Sequence, residues 1–281
     1  MSSGAIQSSF LPAPDDIPVG EAPPTRYRIR VGTASWTDPT LIRSGWYPPG
    51  VSDAAGRLRH YASRFSVVEA DAPYYAIPSA TVAESWVRRT PSSFTFDVKA
   101  SALLTGHRTD TARLPLSVRQ LLGPSERRLA SIGAADLTPE ILGAVTDAFG
   151  AFVQPLRESG RLGAVLFQYP RWFVPGAKAN AVLDGIRRDF PTLSIAVEFR
   201  NAAWGDPIAF REVTARMRAL RMTYVGVDAP RGISSAMVPI DAVTDRQMAI
   251  LRLHGRNARA WDARHTTAAT DRKSTRLNSS H

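Results

Sequence analysis

The spacing of hydrophobic and polar positions predicts strands that alternate with helices along most of the chain. Short apolar runs that end in polar residues predict strands at 27–32, from Val67, and at 94–99, 162–168, 193–200, 222–228 and 248–254. Apolar residues at helical spacing predict helices at 54–64, from Ser79, from Thr138 toward Ser159, and at 177–190 and 207–220. Strands that alternate with helices are typical of a parallel sheet. The pattern therefore predicts an α/β protein.

Within this class, the number of strand–helix units favours a TIM-type (β/α) barrel over an open doubly wound sheet. No Gly-x-Gly-x-x-Gly or phosphate-loop pattern follows any predicted strand, which argues against a nucleotide-binding open sheet. An eighth strand is missing from the pattern. We therefore expect a barrel that is truncated before its last strand.

The domain organisation follows from where this pattern starts and stops. Residues 1–26 are rich in Pro, Ser and Ala and are predicted to be a disordered leader. Residues 27–265 are predicted to form one barrel domain. The segment 101–138 interrupts the pattern after the third strand with turns and short pieces, which predicts a lid-like insertion. The tail at 266–281 looks either non-native or disordered.

Charge and composition narrow the choice of ligand. The chain of 281 residues has a formal net charge of +10, and only three of its 35 basic residues are lysines. Arginine binds phosphate through its planar fork, so we expect a small polar or anionic ligand. Nucleic acid is an alternative partner, prompted by the net charge and by the basic residues of the insertion, which are His107, Arg108, Arg127 and Arg128.

The cellular context is predicted by what the sequence lacks. It has no cysteine, no apolar run long enough to span a bilayer and no signal-peptide pattern. We therefore expect a cytoplasmic protein that does not enter membranes. The sequence indicates neither a cofactor nor an oligomeric state.

Polar side chains follow the apolar body of nearly every predicted strand. Barrel enzymes place their sites at these carboxyl ends, so we expect the residues to meet in one charged pocket. The candidate catalytic residues are Glu69, Lys99, Glu198, Asp228 and His254. The candidate substrate-binding residues are Trp36, Asp71, Tyr74, Tyr75, Gln168, Arg200, Trp204 and Arg252.

Each candidate residue also has a structural explanation. Asp97 and Lys99 share a face, as do Glu198 and Arg200, so neighbouring strands could hold structural ion pairs, and Arg252 could neutralise Glu69 or Glu198. The oxygen atoms of Glu69, Glu198 and Asp228 with His254 could instead bind a divalent metal, although no ligand spacing supports this. Tyr74 and Tyr75 could equally well be core residues.

Six short motifs carry a resemblance to a known family. They are Gly32-Thr-Ala-Ser-Trp36, Val68-Glu-Ala-Asp-Ala-Pro-Tyr-Tyr75, Phe96-Asp-Val-Lys-Ala100, Leu166-Phe-Gln-Tyr-Pro170, Val197-Glu-Phe-Arg200 and Arg252-Leu-His-Gly-Arg256. In this order they resemble the YecE-like family, domain of unknown function 72. The resemblance implies a TIM-type barrel and supplies no reaction, because the family's activity is unassigned.

The chain departs from the family pattern in two places. Glu69-Ala70-Asp71 stands where the family usually has Glu-Ile-Asn, so an acid replaces a neutral amide. The family also continues beyond the region of Trp261 into a last helix and a strand with an asparagine-rich, histidine-containing motif, which is absent here.

The leading hypothesis is therefore an enzyme, although the sequence alone does not decide that it is one. It would act by acid–base chemistry on a small polar or anionic substrate, such as a sugar or a phosphate ester. Proton transfer would run through Glu69, Glu198 or His254. A divalent-metal-dependent isomerase or hydrolase, a nucleic-acid-binding barrel and a non-catalytic scaffold are the alternatives.

Overall fold

The computed structural model describes residues 29–228 and 242–255, so the predicted leader at 1–26 and the tail at 266–281 lie outside the described residues. The helices are α1 (Pro39–Arg43), α2 (Ala54–Ala62), α3 (Ala72–Tyr75), α4 (Ala80–Arg88), α5 (Leu116–Leu121), α6 (Pro124–Arg127), α7 (Pro139–Glu158), α8 (Ala177–Asp189) and α9 (Pro207–Ala219). The strands are β1 (Val67–Ala70), β2 (Thr95–Lys99), β3 (Thr109–Asp110), β4 (Ser131–Ile132), β5 (Leu162–Gln168), β6 (Ile195–Glu198), β7 (Met222–Asp228) and β8 (Ile250–Leu253).

Six of these strands form one parallel sheet in the order β1-β2-β5-β6-β7-β8. Chain order and sheet order agree, and a helix precedes or separates most strands. This arrangement confirms the predicted α/β class. The two remaining strands, β3 and β4, pair with each other in antiparallel fashion.

The segment before β1 continues the sheet by a single bridge. Ala34 forms a parallel bridge with Glu69, and the amide of Ser35 donates to the Glu69 carbonyl at 2.8 Å. Ser35 has a φ of 64°, in the left-handed region, which ends the extended run at once. Residues 29–32, the described part of the predicted first strand, form no strand, and the bridge to β1 lies just beyond them.

The sheet is curled into a half-barrel. Arg252 of β8 contacts Glu69 of β1 with 2.6 Å between Nη2 and Oε1, although β8 and β1 lie at opposite ends of the strand order. In a flat sheet these strands would be roughly 24 Å apart, because neighbouring strands are about 4.8 Å apart. An arginine and a glutamate cannot bridge that gap. The contact therefore requires strong curvature, as expected for a truncated barrel.

Apolar residues pack on both faces of the curled sheet. The main core lies between the sheet and the surrounding helices, and α4 and α7 pack against each other on this side. A smaller cluster fills the concave side and is formed by Ala164, Leu166, Ala196, Val225 and Val227. Small and aliphatic residues at these inward positions fill a narrow interior with side chains. Most of the polar side chains on this side lie at the carboxyl ends of the strands.

The segment 101–138 has a core of its own. Val118 and Ile132, both fully buried, pack with Val145 of α7 in a cluster separate from the main core. The segment is thus a packed insertion that rests on α7. Its movement as a lid is not shown by this packing.

Local signals set the ends of several elements. The Thr138 hydroxyl accepts a hydrogen bond from the Ile141 amide at 3.3 Å, and Pro139 occupies the first turn of α7.

Among the described residues, no helix is long and apolar enough to cross a membrane.

Candidate functional site

The carboxyl ends of the strands bring seven of the predicted site residues to one end of the half-barrel. We call six of them, which are linked by hydrogen bonds and ion pairs, the mouth cluster: Glu69, Gln168, Glu198, Arg200, Arg252 and His254. Lys99, the last residue of β2, lies close enough to respond electrostatically to Glu69 and Arg252. Alternation along each strand explains the grouping, because every second residue points to the concave side.

Arg252 is the centre of the mouth cluster. It holds Glu69 in a bidentate pair, with Nη2 donating to Oε1 at 2.6 Å and Nε donating to Oε2 at 2.8 Å. Its third nitrogen, Nη1, donates to Glu198 and, at 3.2 Å, to Gln168. Burial alone would lower the pKa of Arg252, but Glu198 and Glu69 outweigh burial and raise it. Charge-assisted bidentate pairs are among the stronger protein hydrogen bonds.

Glu198 is fully buried and pairs with two guanidinium groups. Its Oε1 contacts Nε of Arg200, and its Oε2 contacts Nη1 of Arg252. Burial by itself raises the pKa of Glu198, yet Arg200 and Arg252 hold the pKa of this carboxyl below its usual range. Glu198 therefore stays ionised at neutral pH.

His254 lies beside this pair at the end of β8. Its Nε2 is 3.3 Å from Nη2 of Arg200 and 3.7 Å from Oε1 of Glu198. Burial lowers the pKa of His254, and the pull of Glu198 in the other direction does not offset it. We infer a neutral imidazole at physiological pH.

Lys99 and Asp71 differ from these groups. Within the described part of the chain, neither forms an ion pair within 4.0 Å. The Lys99 ammonium instead lies 4.1 Å from the centroid of the Tyr74 ring. Burial, followed by the charge of Arg252, lowers the pKa of Lys99. Burial raises the pKa of Asp71, and Lys99 opposes that rise.

The predicted aromatic residues divide between core and mouth. Trp36 and Trp204 are 7% and 2% exposed, and their indole N–H groups donate to the carbonyls of Ala54 and Phe173. Both rings therefore have packing partners that explain them, and a substrate-binding role stays a prediction. The ring of Tyr74 lies against the Lys99 ammonium. The more exposed Tyr75 lies edge-on to Tyr74 with 5.0 Å between ring centroids.

Asp228 is less closely tied to the site. It ends β7, and its backbone carbonyl accepts a hydrogen bond from the His254 amide at 2.9 Å. The catalytic role of its carboxylate stays a prediction. Among residues 29–228 and 242–255, no group of three or more His, Cys, Asp and Glu side chains could hold a metal ion.

Asp97 is a partly buried acid that the sequence predicted only as an ion-pair partner for Lys99. Its Oδ1 accepts a hydrogen bond from the Ala164 amide at 2.9 Å, and no described cation lies within 4.0 Å of it. Burial raises the pKa of Asp97 to about 6, and the nearby Glu69 acts in the same direction. The signal in the sequence was the alternation of β2, which places Asp97 and Lys99 on one face.

Basic residues of the insertion make contacts inside the insertion. Arg108 pairs with Asp136 at 2.7 Å, and Arg127 donates to the carbonyl of Gln120 at 3.1 Å. These contacts account for two of the four residues that prompted the nucleic-acid alternative. Binding of nucleic acid stays a prediction.

The fold and the mouth cluster define a curled parallel α/β protein with a charged opening at the carboxyl ends of its strands. The chain belongs to the family described as "Protein of unknown function DUF72", whose pattern matches residues 30–279. This confirms the resemblance inferred from the six motifs.

Three relatives illustrate the match. The chain is 29% identical to the UPF0759 protein YunF of Bacillus subtilis (strain 168) over 233 residues, which are 83% of this chain and 72% of YunF. The crystal structure of a DUF72 family protein (EF0366) from Enterococcus faecalis V583 matches with a TM-score of 0.64 and 26% identity, over 83% of this chain and 73% of that one. A DUF72 family protein (TM1631) from Thermotoga maritima MSB8 shares the fold, with a TM-score of 0.61 and 24% identity over 84% and 78% of the two chains.

Proposed function

We propose that the protein is a cytoplasmic enzyme that acts by proton transfer on a small polar or anionic substrate, sugar-like or phosphate-like, at the carboxyl ends of the strands. The observation that carries the proposal is the division of charges at the mouth. Two guanidiniums and two carboxylates neutralise one another in the mouth cluster, whereas Lys99 and Asp71 have no described ion-pair partner within 4.0 Å. A ligand is the natural partner for such groups.

The same division suggests a role for each group. Lys99 supplies the positive charge that attracts the substrate anion, since Arg200 and Arg252 are already neutralised by Glu198 and Glu69. Asp71, whose pKa is raised mainly by burial, exchanges a proton with the substrate. The neutral imidazole of His254 is the second group able to do so.

Glu69 and Glu198 take a different role in this proposal from the one that their sequence positions favoured. A general acid or base must change its protonation state near the working pH. Glu198 is held ionised by two guanidiniums, and Glu69 accepts two hydrogen bonds from Arg252. Both carboxylates then act by orienting the guanidiniums and by setting the net charge of the mouth cluster.

The proposal includes a TIM-type barrel with the insertion as its lid. The curvature that joins β8 to β1 supports the barrel. The position of the insertion supports the lid, because it follows the carboxyl end of β2 and brings His107 to 5.4 Å from the ring of Tyr74, measured between centroids.

The first test measures ligand binding without knowledge of the reaction. The full chain is heated with inorganic phosphate, sugar phosphates and small carboxylates, and the shift of the melting temperature is recorded. We expect at least one anion to stabilise the wild type and to stabilise Lys99→Met much less. The matched control is Lys178→Met, which removes one positive charge from the exposed face of α8 and should behave like the wild type.

The second step tests proton transfer for the anions that bind. In D₂O, the enzyme should catalyse deuterium incorporation into such a ligand, as measured by mass spectrometry. Asp71→Asn should slow the incorporation by about 100-fold or more, because a positioned acid or base contributes at least that much. Equal stabilisation of wild type and Lys99→Met by every anion would contradict the proposal.

A further inference from the structure

We propose that Lys99 is a nucleophile that forms a Schiff base with the carbonyl carbon of an anionic aldehyde or ketone. This inference rests on the proposed function, because it requires that the mouth binds the substrate. It goes further by naming the substrate class, the bond that forms and the atom that forms it.

The position of Lys99 suits this role. It is the last residue of β2 on the concave side, and its side chain is only partly buried, so a small molecule that enters the mouth can reach it. Barrel enzymes place their reacting groups at such strand ends. The centroid of the Tyr74 ring lies 4.1 Å from Nζ.

The surroundings of Lys99 disfavour a purely structural role. A structural lysine at such a site is normally paired with a carboxylate, because an unpaired ammonium is costly to remove from water. Here the acids of the mouth cluster pair with other cations. Arg252 binds both carboxylate oxygens of Glu69, and Arg200 and Arg252 both pair with Glu198. In residues 29–228 and 242–255, no carboxylate lies within 4.0 Å of Nζ.

The electrostatics favour the free amine. Burial acts first, and the positive charges of Arg252 and Arg200 add to it, while Glu69 and Glu198 act in the opposite direction. The balance lowers the pKa of Lys99, which increases the fraction of amine that carries a lone pair. Each unit by which the pKa of a lysine falls raises that fraction about tenfold at a pH below the pKa.

The covalent step balances without a further reactant. The lone pair of Nζ attacks the carbonyl carbon, the C–N bond forms and the π electrons move to oxygen. The nitrogen loses a proton and the oxygen gains one, which gives a carbinolamine. The C–O bond then breaks with a second proton transfer, water leaves and a C=N bond remains. Amine and carbonyl compound are converted to imine and water, with no oxidant or reductant.

Asp71 is the group that can move these protons. It follows β1, two residues after Glu69, and the Lys99 ammonium opposes the rise in the pKa of its carboxyl. Burial raises the pKa of Asp71, so the carboxyl can give a proton to the departing hydroxyl and recover it from the amine. The substrate class follows the proposed function, which assigns a small anionic ligand to the mouth.

The experiment uses the small number of lysines in the chain. Lys99, Lys178 and Lys273 are the only ones in the sequence, so reductive trapping can be mapped without ambiguity. The full chain is incubated separately with glyoxylate, pyruvate and dihydroxyacetone phosphate, then reduced with sodium borohydride. Intact mass and peptide mapping measure the secondary amine that forms at each lysine. Lys178, which is exposed on α8, is the internal reference.

We expect the reduced adduct to form faster on Lys99 than on Lys178, because Lys99 lies at the end of β2 in the mouth and burial lowers its pKa. Lys99→Arg should remove this adduct, and Lys178→Arg should leave it unchanged. If Lys99→Arg does not fold, the ratio of Lys99 to Lys178 labelling in the wild type decides the question. Equal labelling of the two lysines, or none on Lys99 with all three compounds, overturns the inference.

The result also separates this inference from the proposed function. If anions stabilise the wild type more than Lys99→Met but no adduct forms on Lys99, then the lysine binds the substrate by charge alone and only the Schiff base is wrong. If neither effect is seen, the site itself has been assigned wrongly and both proposals fail.

Discussion

At the scale of single residues, the mouth contains acids in opposite electrostatic situations. Glu198 is surrounded by two guanidiniums, which hold the pKa of its carboxyl down despite complete burial. Asp97 accepts a hydrogen bond from the Ala164 amide and has no ion-pair partner within 4.0 Å among the described residues, and burial raises its pKa to about 6. The difference comes from partners and not from depth, because both side chains point to the same concave side.

The pH dependence of stability should reveal Asp97. Its folded pKa of about 6 lies above the usual 3.8, so the folded state holds a proton that the unfolded state has lost between these values. Stability from this group is therefore lost as pH rises from about 4 to about 6. The Asp97→Asn variant does not lose stability in this way, and its amide oxygen can still accept a hydrogen bond from the Ala164 amide. We expect the variant to gain up to about 3 kcal/mol relative to the wild type between pH 4 and pH 7, measured by urea unfolding.

Asp136 provides a control of opposite sign. It is partly exposed, and the Gly133 amide, which donates to it at 2.9 Å, is the main cause that lowers the pKa of its carboxyl. Asp136→Asn should therefore lose stability relative to the wild type as pH rises through the range where Asp136 ionises. A gain for Asp97→Asn that is the same at both pH values would show that Asp97 is not protonated in the folded state.

The residue scale also shows what the sequence could predict about the site. Alternation within strands and the common direction of parallel strands predicted that Glu69, Gln168, Glu198, Arg200 and Arg252 would meet. The sequence also suggested the pair of Glu198 with Arg200 and offered Glu69 or Glu198 as the partner of Arg252. It could not predict that Arg252 binds both carboxylates at once, because that depends on the curl of the sheet. Nor could it separate Trp204, which lies stacked on Phe199 with 4.1 Å between ring centroids, from an aromatic residue that faces the substrate.

At the scale of elements, the closest approach in the described sheet is between the bridge segment and β1. A Cβ added to Gly32 would lie 2.0 Å from the carbonyl oxygen of Val67, which is a backbone atom that cannot turn away. We expect Gly32→Ala to push the segment off β1 and to cost about 1–3 kcal/mol, measured by urea unfolding. The substitution should affect the whole segment, because the bridge between Ala34 and Glu69 is lost when the segment moves off β1.

Gly143 of α7 is the matched control. A Cβ at this exposed helical position meets nothing within 4 Å. Gly143→Ala should therefore stabilise the protein by about 0.5–1 kcal/mol, because alanine loses less backbone entropy than glycine in a helix. If the two variants had the same effect, the short approach at Gly32 would not be the cause.

The elements differed in how well the sequence predicted them. The observed bounds of β5 and β7 equal the predicted ones, because continuous apolar runs at 162–168 and 222–228 are bounded by polar residues or turns. The insertion gave no periodic signal. Its elements have two to six residues each, and they are held together by a small core that only the folded chain creates. The first predicted strand, at 27–32, is wrong for its described part, because residues 29–32 form no strand and the contact with β1 lies at Ala34.

At the scale of the whole molecule, Arg252 joins the two ends of the strand order. Arg252→Met leaves Glu69 without its two donors and Glu198 with one fewer, and we expect a cost of about 3–5 kcal/mol in urea unfolding. Arg252→Lys should also destabilise the protein, because one ammonium cannot replace a planar fork that binds two carboxylates at once.

An exposed ion pair serves as the reference for this measurement. Arg216 and Asp184 have side chains that are 36% and 45% exposed, whereas those of Arg252 and Glu69 are both 14% exposed. Arg216→Met should therefore cost no more than about 1 kcal/mol. An equally small cost for Arg252→Met would mean that the contact between Arg252 and Glu69 does not hold the curvature of the sheet.

The contact between Arg252 and Glu69 also has a consequence for the order of folding. The two residues are 183 positions apart in the chain, and all the remaining strands of the parallel sheet, β2, β5, β6 and β7, lie between them. Loop closure over such a distance is entropically costly until the intervening strands are paired, so this contact belongs to the last steps. A partly folded chain therefore has neighbouring strands in register but no mouth. The chemistry of the site emerges only when the whole sheet has formed.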